Sequence, residues 1–323
     1  MKNIKLGRES GIVAALVMMM IVFSLIDPIY LSSDNIVDIV KQSTINGLLG
    51  IGITLAIITG GIDLSIGSTF AIVIVSVGKL LVSGVNPVLA FTIGIILGFS
   101  LGIVNGILVA KVKLQPFIAT LGTMSIYRGV AYIITGGWPV LDIPENFRQA
   151  LDGDIFGVIP SSVVLLFIVG IIIWIILKYT RFGNYIYALG SNEEATKLSG
   201  VNVDFNKMMA YAFCGMGAAL AGMVLLARLG TGEPTAGQGY ELNAIAAAAV
   251  GGTSLMGGKG TMLGTILGTI LLSALRVGLI VVGVDSFWQY IATGIIIVIA
   301  ACFEIIQNKI SSIKISRSKL SKV

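Results

Sequence analysis

Long runs of apolar residues, with charge confined between them, constrain this chain more than any other feature. Crossing a bilayer takes roughly 17–25 predominantly apolar residues. Ten such stretches can be placed, near 11–27, 44–60, 66–83, 87–110, 116–134, 161–177, 207–227, 242–256, 261–282 and 287–306. Composition agrees: 56% of the 323 residues are hydrophobic and 11% are charged, against about 25% charged in a soluble domain. The expected fold is an all-α polytopic membrane protein, one transmembrane domain over residues 1–323, with about ten crossings. The first run follows Lys2, Lys5 and Arg8 and ends at Asp27-Pro28-Ile29-Tyr30 without a small-x-small cleavage pattern. It therefore reads as an uncleaved span rather than a secretion signal.

The basic residues report topology. With the N-terminus inside, Lys41, Lys79, Arg148 and Arg228 fall in outer loops, and Arg128 and Arg276 fall within spans. The other fifteen of the twenty-one Lys and Arg lie on the inner side, a strong positive-inside bias. Both termini and the polar stretch 178–207 are then expected in the cytoplasm, and 135–160 outside. The net charge of +5 is scattered between spans, so no nucleic-acid surface is implied. With no histidine and two distant cysteines in apolar runs, Cys214 and Cys302, neither a metal site nor a disulfide is expected.

The stretch 178–207 is the exception to the apolar pattern. Ser191-Asn192-Glu193-Glu194-Ala195-Thr196-Lys197-Leu198-Ser199-Gly200 reads as one short helix. Ser191 is placed to cap its first turn, with Glu194 reaching back to the Ser191 amide. Glu193 and Lys197 stand four apart in the favourable order, and Gly200 suits a left-handed stop. Ala195 and Leu198 form an apolar face too small for a core, so the helix should dock onto something else. The plainer alternative is a well-capped surface loop.

Glycine marks two further features. Gly94, Gly98, Gly102 and Gly106 recur every fourth residue and line one face of the fourth span. In lipid, helices associate through such small faces, so these read as helix contacts. Two stretches, 60–68 and 251–260, share the pattern GG-x-x-L-x-x-G and interrupt the helical pattern beside the shorter spans. Interrupted short segments at matching positions point to a transport site, although here the two run in the same direction.

Few residues offer chemistry. Asp63 lies at the first break, either as a gate or pathway residue or as a helix cap with Ser65. Arg128, deep in the fifth span, would face protein or water, meeting solute hydroxyls or tying down backbone carbonyls of an outer loop. The glycine-rich stretch 251–260 is no phosphate loop: the position for its first glycine is Thr253, and Gly260 follows Lys259 in place of Ser or Thr. No general base, nucleophile elbow or series of intramembrane acids is visible, so no catalytic residue is expected. What remains is passage of a solute and contact with partners.

Several stretches together resemble the membrane subunits of bacterial ABC importers for simple sugars, with ribose permeases the nearest branch. They are Ile58-Thr59-Gly60-Gly61-Ile62-Asp63-Leu64-Ser65-Ile66-Gly67-Ser68, Pro116-Phe117-Ile118-Ala119-Thr120-Leu121-Gly122-Thr123, Arg181-Phe182-Gly183 through Gly190, Asn192-Glu193-Glu194-Ala195 with Leu198-Ser199-Gly200, and Pro234-Thr235-Ala236-Gly237 through Gly260. They follow the family's order over nearly the whole chain; Arg276 is the one position not expected to be basic. The resemblance implies a multi-pass protein of the bacterial cytoplasmic membrane, surrounded by lipid, that carries ribose, autoinducer-2 or another monosaccharide. It implies a pore of two permease copies and an extracytoplasmic sugar-binding protein on the outer loops. A cytoplasmic ATPase would grip the segment from Asn192 to Ser199, with Asn192, Glu193, Glu194, Ala195, Leu198 and Gly200 as its coupling residues. No cofactor and no ATPase site are implied in this chain. An ion-coupled transporter is the competing reading, with Asp63 the single acid available to it.

Overall fold

The computed structural model describes residues 8–155, 157, 159–285, 287–299 and 302. The described residues form a helical bundle: α1 (Arg8–Ile26), α2 (Ser33–Ile58), α3 (Ile66–Val82), α4 (Pro87–Ala110), α5 (Pro116–Thr135), α6 (Glu145–Asp152), α7 (Ser161–Tyr179), α8 (Arg181–Ser191), α9 (Glu193–Leu198), α10 (Val203–Leu229), α11 (Tyr240–Val250), α12 (Met262–Val281) and α13 (Phe287–Ile299). A 3-10 turn, Pro28–Leu31, joins the first two. Strands β1 (Asp154–Ile155) and β2 (Ile159–Pro160) pair antiparallel after α6. Lys2, Lys5 and the basic residues from 309 onward lie outside the described residues.

Proline and side-chain caps set many of these boundaries. Pro87 and Pro116 open α4 and α5, where a missing N–H is harmless, and Pro28 opens the 3-10 turn. The Asn86 side chain accepts from the Val88 amide to cap α4, and Thr261 accepts from Gly264 to cap α12. Gly60, at φ +78, turns the chain out of α2 in a conformation that most residues avoid.

The centre is built from α2, α3 and α10. Every residue of α2 from Ser43 to Ile58 is buried, as expected of a helix that is apolar all round. In the best apolar window of α10, 83% of residues are buried, against 11% in α1, which leans on α12 through Phe23 and Gly278 at the edge of the bundle. The glycine face of α4 lies on α10 at backbone distance. A Cβ at Gly98 would stand 2.5 Å from the Gly215 carbonyl oxygen, and one at Gly102 would stand 2.2 Å from that of Tyr211. Gly94 faces Met223 and Gly106 faces Met208 in the same seam. The contact role read from the every-fourth spacing is thus a contact within one chain.

Two expectations about the spans are revised, at the second and the eighth stretch. Six helices, α1, α4, α5, α7, α10 and α12, are long and apolar enough to cross a membrane among the described residues. The second stretch is longer than 44–60, because α2 starts at Ser33. Its first turns looked like a loop because Asp38 and Lys41 are charged, but these pair with Arg228 at 3.6 Å and Asp152 at 4.0 Å. The stretch 242–256 is not a full crossing helix. Its helix α11 has 11 residues, about 16 Å at 1.5 Å per residue, roughly half of the hydrocarbon thickness. The preceding segment 230–239 is non-helical. The end of the last stretch, beyond 299, falls outside the described residues apart from Cys302.

Charges sort to the two ends of the bundle. Lys113 pairs with Asp204 at 2.6 Å and Lys207 with Glu193 at 2.5 Å at the end that carries α8 and α9. The Lys41–Asp152, Arg228–Asp38 and Arg148–Glu145 pairs lie at the end that carries α6.

The α4–α10 seam makes a stability prediction. Gly102→Leu should destabilise the purified protein by more than about 3 kcal/mol or abolish folded yield, since the facing backbone cannot retreat. Gly122→Ala, at a position with open space around it, should stay within about 1 kcal/mol of the parent. Thermal midpoints in mild detergent check both.

Candidate functional site

The polar segment folds as two helices, α8 and α9, separated by the extended Asn192, rather than one. Thr180 caps α8 by accepting from the Gly183 amide at 3.3 Å. Ser191 does not cap the second helix. It closes α8, and its hydroxyl donates to the Tyr187 carbonyl at 2.9 Å. The cap is Asn192, extended at φ −160, whose side chain accepts from the Ala195 amide at 2.9 Å. Both residue types favour a cap, and sequence spacing alone did not separate neighbours. Glu193 likewise finds Lys207 on α10 instead of Lys197. Thr196 is buried and donates to the Asn192 carbonyl, whereas Glu194, Ala195 and Lys197 are exposed and Leu198 is 89% exposed. Gly200 makes the left-handed stop at φ +81. The result is a short helix fixed underneath, with Leu198 and Ala195 exposed beside Glu194 and Lys197.

The end of α8 sits against both glycine breaks. The Gly258 amide donates to the Ile58 carbonyl at 2.9 Å, joining the end of α2 to the loop before α12. A Cβ at Gly190 would lie 1.8 Å from that Ile58 oxygen and 2.5 Å from the Gly258 nitrogen. The Tyr187 hydroxyl donates to the Gly260 carbonyl at 2.8 Å, and burial pushes this phenol up from its ordinary value, so it remains a donor. The two GG-x-x-L-x-x-G stretches are therefore neighbours in space, and α8 touches both. Gly190 entered the sequence reading only as the end of a matching stretch, and Tyr187 was not singled out.

The first break encloses a buried polar cluster. Asp63 is 1% exposed, and its Oδ1 accepts from the Ser65 amide at 2.9 Å and the Ser65 hydroxyl at 2.7 Å. Asn105 of α4 donates through Nδ2 to Ser65 Oγ at 2.6 Å and to both Asp63 oxygens at 3.3 Å. Asp63 thus caps the turn into α3, while Ser65 makes no capping bond. Asn105 was missed because it reads as one more residue of an apolar span. Thr120 of α5 donates to the Ile62 carbonyl at 3.2 Å, holding the break from the other side.

Arg128 does not join this cluster. Its guanidinium donates to the carbonyls of Pro234 at 2.6 Å, Ala236 at 2.8 Å and Gly67 at 3.2 Å. It thereby ties the non-helical 230–239 segment to the start of α3. Asp63 and Ser65 thus form one buried pair, and Arg128 is a separate carbonyl clamp, the second of the two roles its position suggested. Each hydrogen bond to a charged group is worth about 1.5–3 kcal/mol. Arg128→Met should therefore lower stability by about 3 kcal/mol or more and increase proteolysis within 230–239. Arg128→Lys should recover part of the loss. Limited proteolysis with thermal melts would show it.

Comparison with known proteins follows this geometry. Residues 35–301 match the family described as "Branched-chain amino acid transport system / permease component". The chain is 42% identical over 301 residues to the ribose import permease protein RbsC of Bacillus subtilis (strain 168), covering 93% of this chain and 92% of that one. It is 40% identical to the ribose import permease protein RbsC of Escherichia coli (strain K12), over 94% of each. It is 36% identical to the D-allose transport system permease protein AlsC of the same organism, over 89% of each. No solved structure matches. A family match across most of the chain and near-complete coverage of these relatives place the protein in that family of transport-system permease components.

Proposed function

We propose that this chain is the membrane-spanning subunit of an ATP-driven bacterial importer that moves ribose or a related monosaccharide inward. The observation that carries the reading is 42% identity over 93% of the chain to a ribose import permease. The family description mentions branched-chain amino acids, which makes such an amino acid the second reading. Relatives at 36–42% identity are named for ribose and allose, and this favours a sugar.

In this reading the chain crosses the membrane about ten times, with α11 and the 230–239 segment sharing one crossing. The termini and the α8–α9 end face the cytoplasm, and the α6 end faces a sugar-binding protein. Two copies form the pore. The chain hydrolyses nothing itself; a cytoplasmic ATPase grips α9 by its exposed Leu198 and the flanking Glu194 and Ala195. Movement of α9 passes to α8, which abuts Ile58, Gly258 and Gly260. Both breaks then shift together, and the pore alternates between outward and inward forms. Asp63, Ser65 and Asn105 hold the first break rigid enough to transmit this motion.

Two measurements test the reading. Leu198→Asp should cut D-ribose uptake at least tenfold and lose co-purification of the ATPase, with normal membrane insertion; full uptake would remove α9 from the motor contact. A cysteine at the exposed Lys197 should react with an impermeant thiol reagent only when the cytoplasmic face is open to it. Labelling from the outside of intact cells would invert the orientation and sink the scheme.

A further inference from the structure

Between α2, α11, α12 and α13 lies a cavity of about 290 Å³ that no feature discussed so far occupies. Its walls carry Asn46, Gln238, Asn243, Arg276 and Gln289, with Tyr240 beside them. Asn46 is 6% exposed, and its Oδ1 has no hydrogen-bond partner. Its Nδ2 reaches only Ser273 Oγ, at 3.5 Å. The side chains of the other four have no hydrogen-bond or ion-pair partner among the described residues. Arg276 sits in α12, a helix apolar enough to span the membrane. Intramembrane cations face a cavity or a partner and mark solute paths. Asn46 is the buried amide, and the half-buried Asn243, Arg276 and Gln289 with the exposed Gln238 border the same space. A buried amide oxygen left without a donor suits a ligand that both donates and accepts.

From this juxtaposition we infer that the cavity is a station for a neutral monosaccharide on its way through the permease. Sugar hydroxyls donate and accept, which suits four amides, and Arg276 supplies donors for a ring or hydroxyl oxygen. The Tyr240 ring, held edge-on by Phe70 at 5.6 Å between centroids, offers an aromatic surface to the C–H face of the sugar. The volume lies at the small end of small-molecule sites, about 300–1,000 Å³, which fits one ring rather than a disaccharide. Among the described residues no carboxylate lines the cavity to capture a coupling cation. This inference rests on the sugar-importer reading and assigns its path through the chain. It also gives Arg276, unexpected from the sequence, a task.

The test uses the whole importer, with its ATPase and binding protein, in lipid nanodiscs. Asn243→Cys is introduced together with Cys302→Ser, while the buried Cys214 stays in place. The rate of modification by a small methanethiosulfonate is measured without sugar, with D-ribose and loaded binding protein, and with L-leucine. D-Ribose should slow modification at least fivefold and L-leucine should not. Arg276→Met should abolish that protection, and Arg276→Lys should retain part of it. If Asn243→Cys fails to assemble, Gln289→Cys reports on the same cavity. Equal rates with and without D-ribose overturn the assignment. So does slow modification in nanodiscs that becomes fast in detergent regardless of sugar, which would identify a lipid headgroup as the occupant. Parent importer that takes up D-ribose while the cysteine stays unprotected refutes the cavity alone; parent importer that takes up no sugar refutes the sugar reading itself.

Discussion

Peptide groups inside a membrane must all find partners, since hydrocarbon supplies none. This protein interrupts its helices in three places, at 60–65, 230–239 and 251–260, and each interruption survives by capture of its exposed backbone. Asp63 and Thr120 hold the first, through the Ser65 amide and the Ile62 carbonyl. Arg128 holds the second through two of its carbonyls, and Tyr187 and Ile58 hold the third. Apart from Asp63, which caps its own turn, these captors come from neighbouring helices. The first and third segments also touch directly, with Gly257 packed against Gly60.

Close approach makes that arrangement possible. Without a hydrophobic force between helices in lipid, packing depends on bringing backbones together. The α4–α10 seam does so with Gly98, Gly102 and Gly215. It sets Asn105 at the depth of Asp63, since both the glycine face and the polar donor belong to the same helix. Gly190 repeats the device at the end of α8, where any side chain would collide with Ile58. Small residues thus position the polar ones, and the polar ones keep the broken chain in the membrane.

Much of this was legible in the sequence, and the limits have physical causes. Apolar run length located the helices, because hydrocarbon thickness leaves few choices. It failed at α11, where a continuous apolar composition conceals a half-length helix fed by an extended segment. It also truncated α2, whose first turns carry charges neutralised by Asp152 and Arg228 from distant parts of the chain. The every-fourth glycines share one helix face because helical period fixes direction, and that face lies against α10. Their partner, α10, could not be read, since it lies over a hundred residues away. In the polar segment, Gly200 and the exposed Leu198 followed from local rules, while Asn192 replaced Ser191 as cap and Lys207 replaced Lys197 as partner of Glu193. Local rules rank neighbours; tertiary packing chooses among them.

A helix of six residues has almost no tendency to form by itself in water. The shape of α9 is imposed by its cap, by buried Thr196 and by the Glu193–Lys207 bridge to α10. Its outward surface consequently exists only once α10 has been seated in the bundle. Any partner that recognises Leu198 and its neighbours would therefore recognise a surface that forms only after α10 has packed. A chain in which α10 is not seated would lack that surface, because so short a helix keeps its shape only while it is tied to its neighbour.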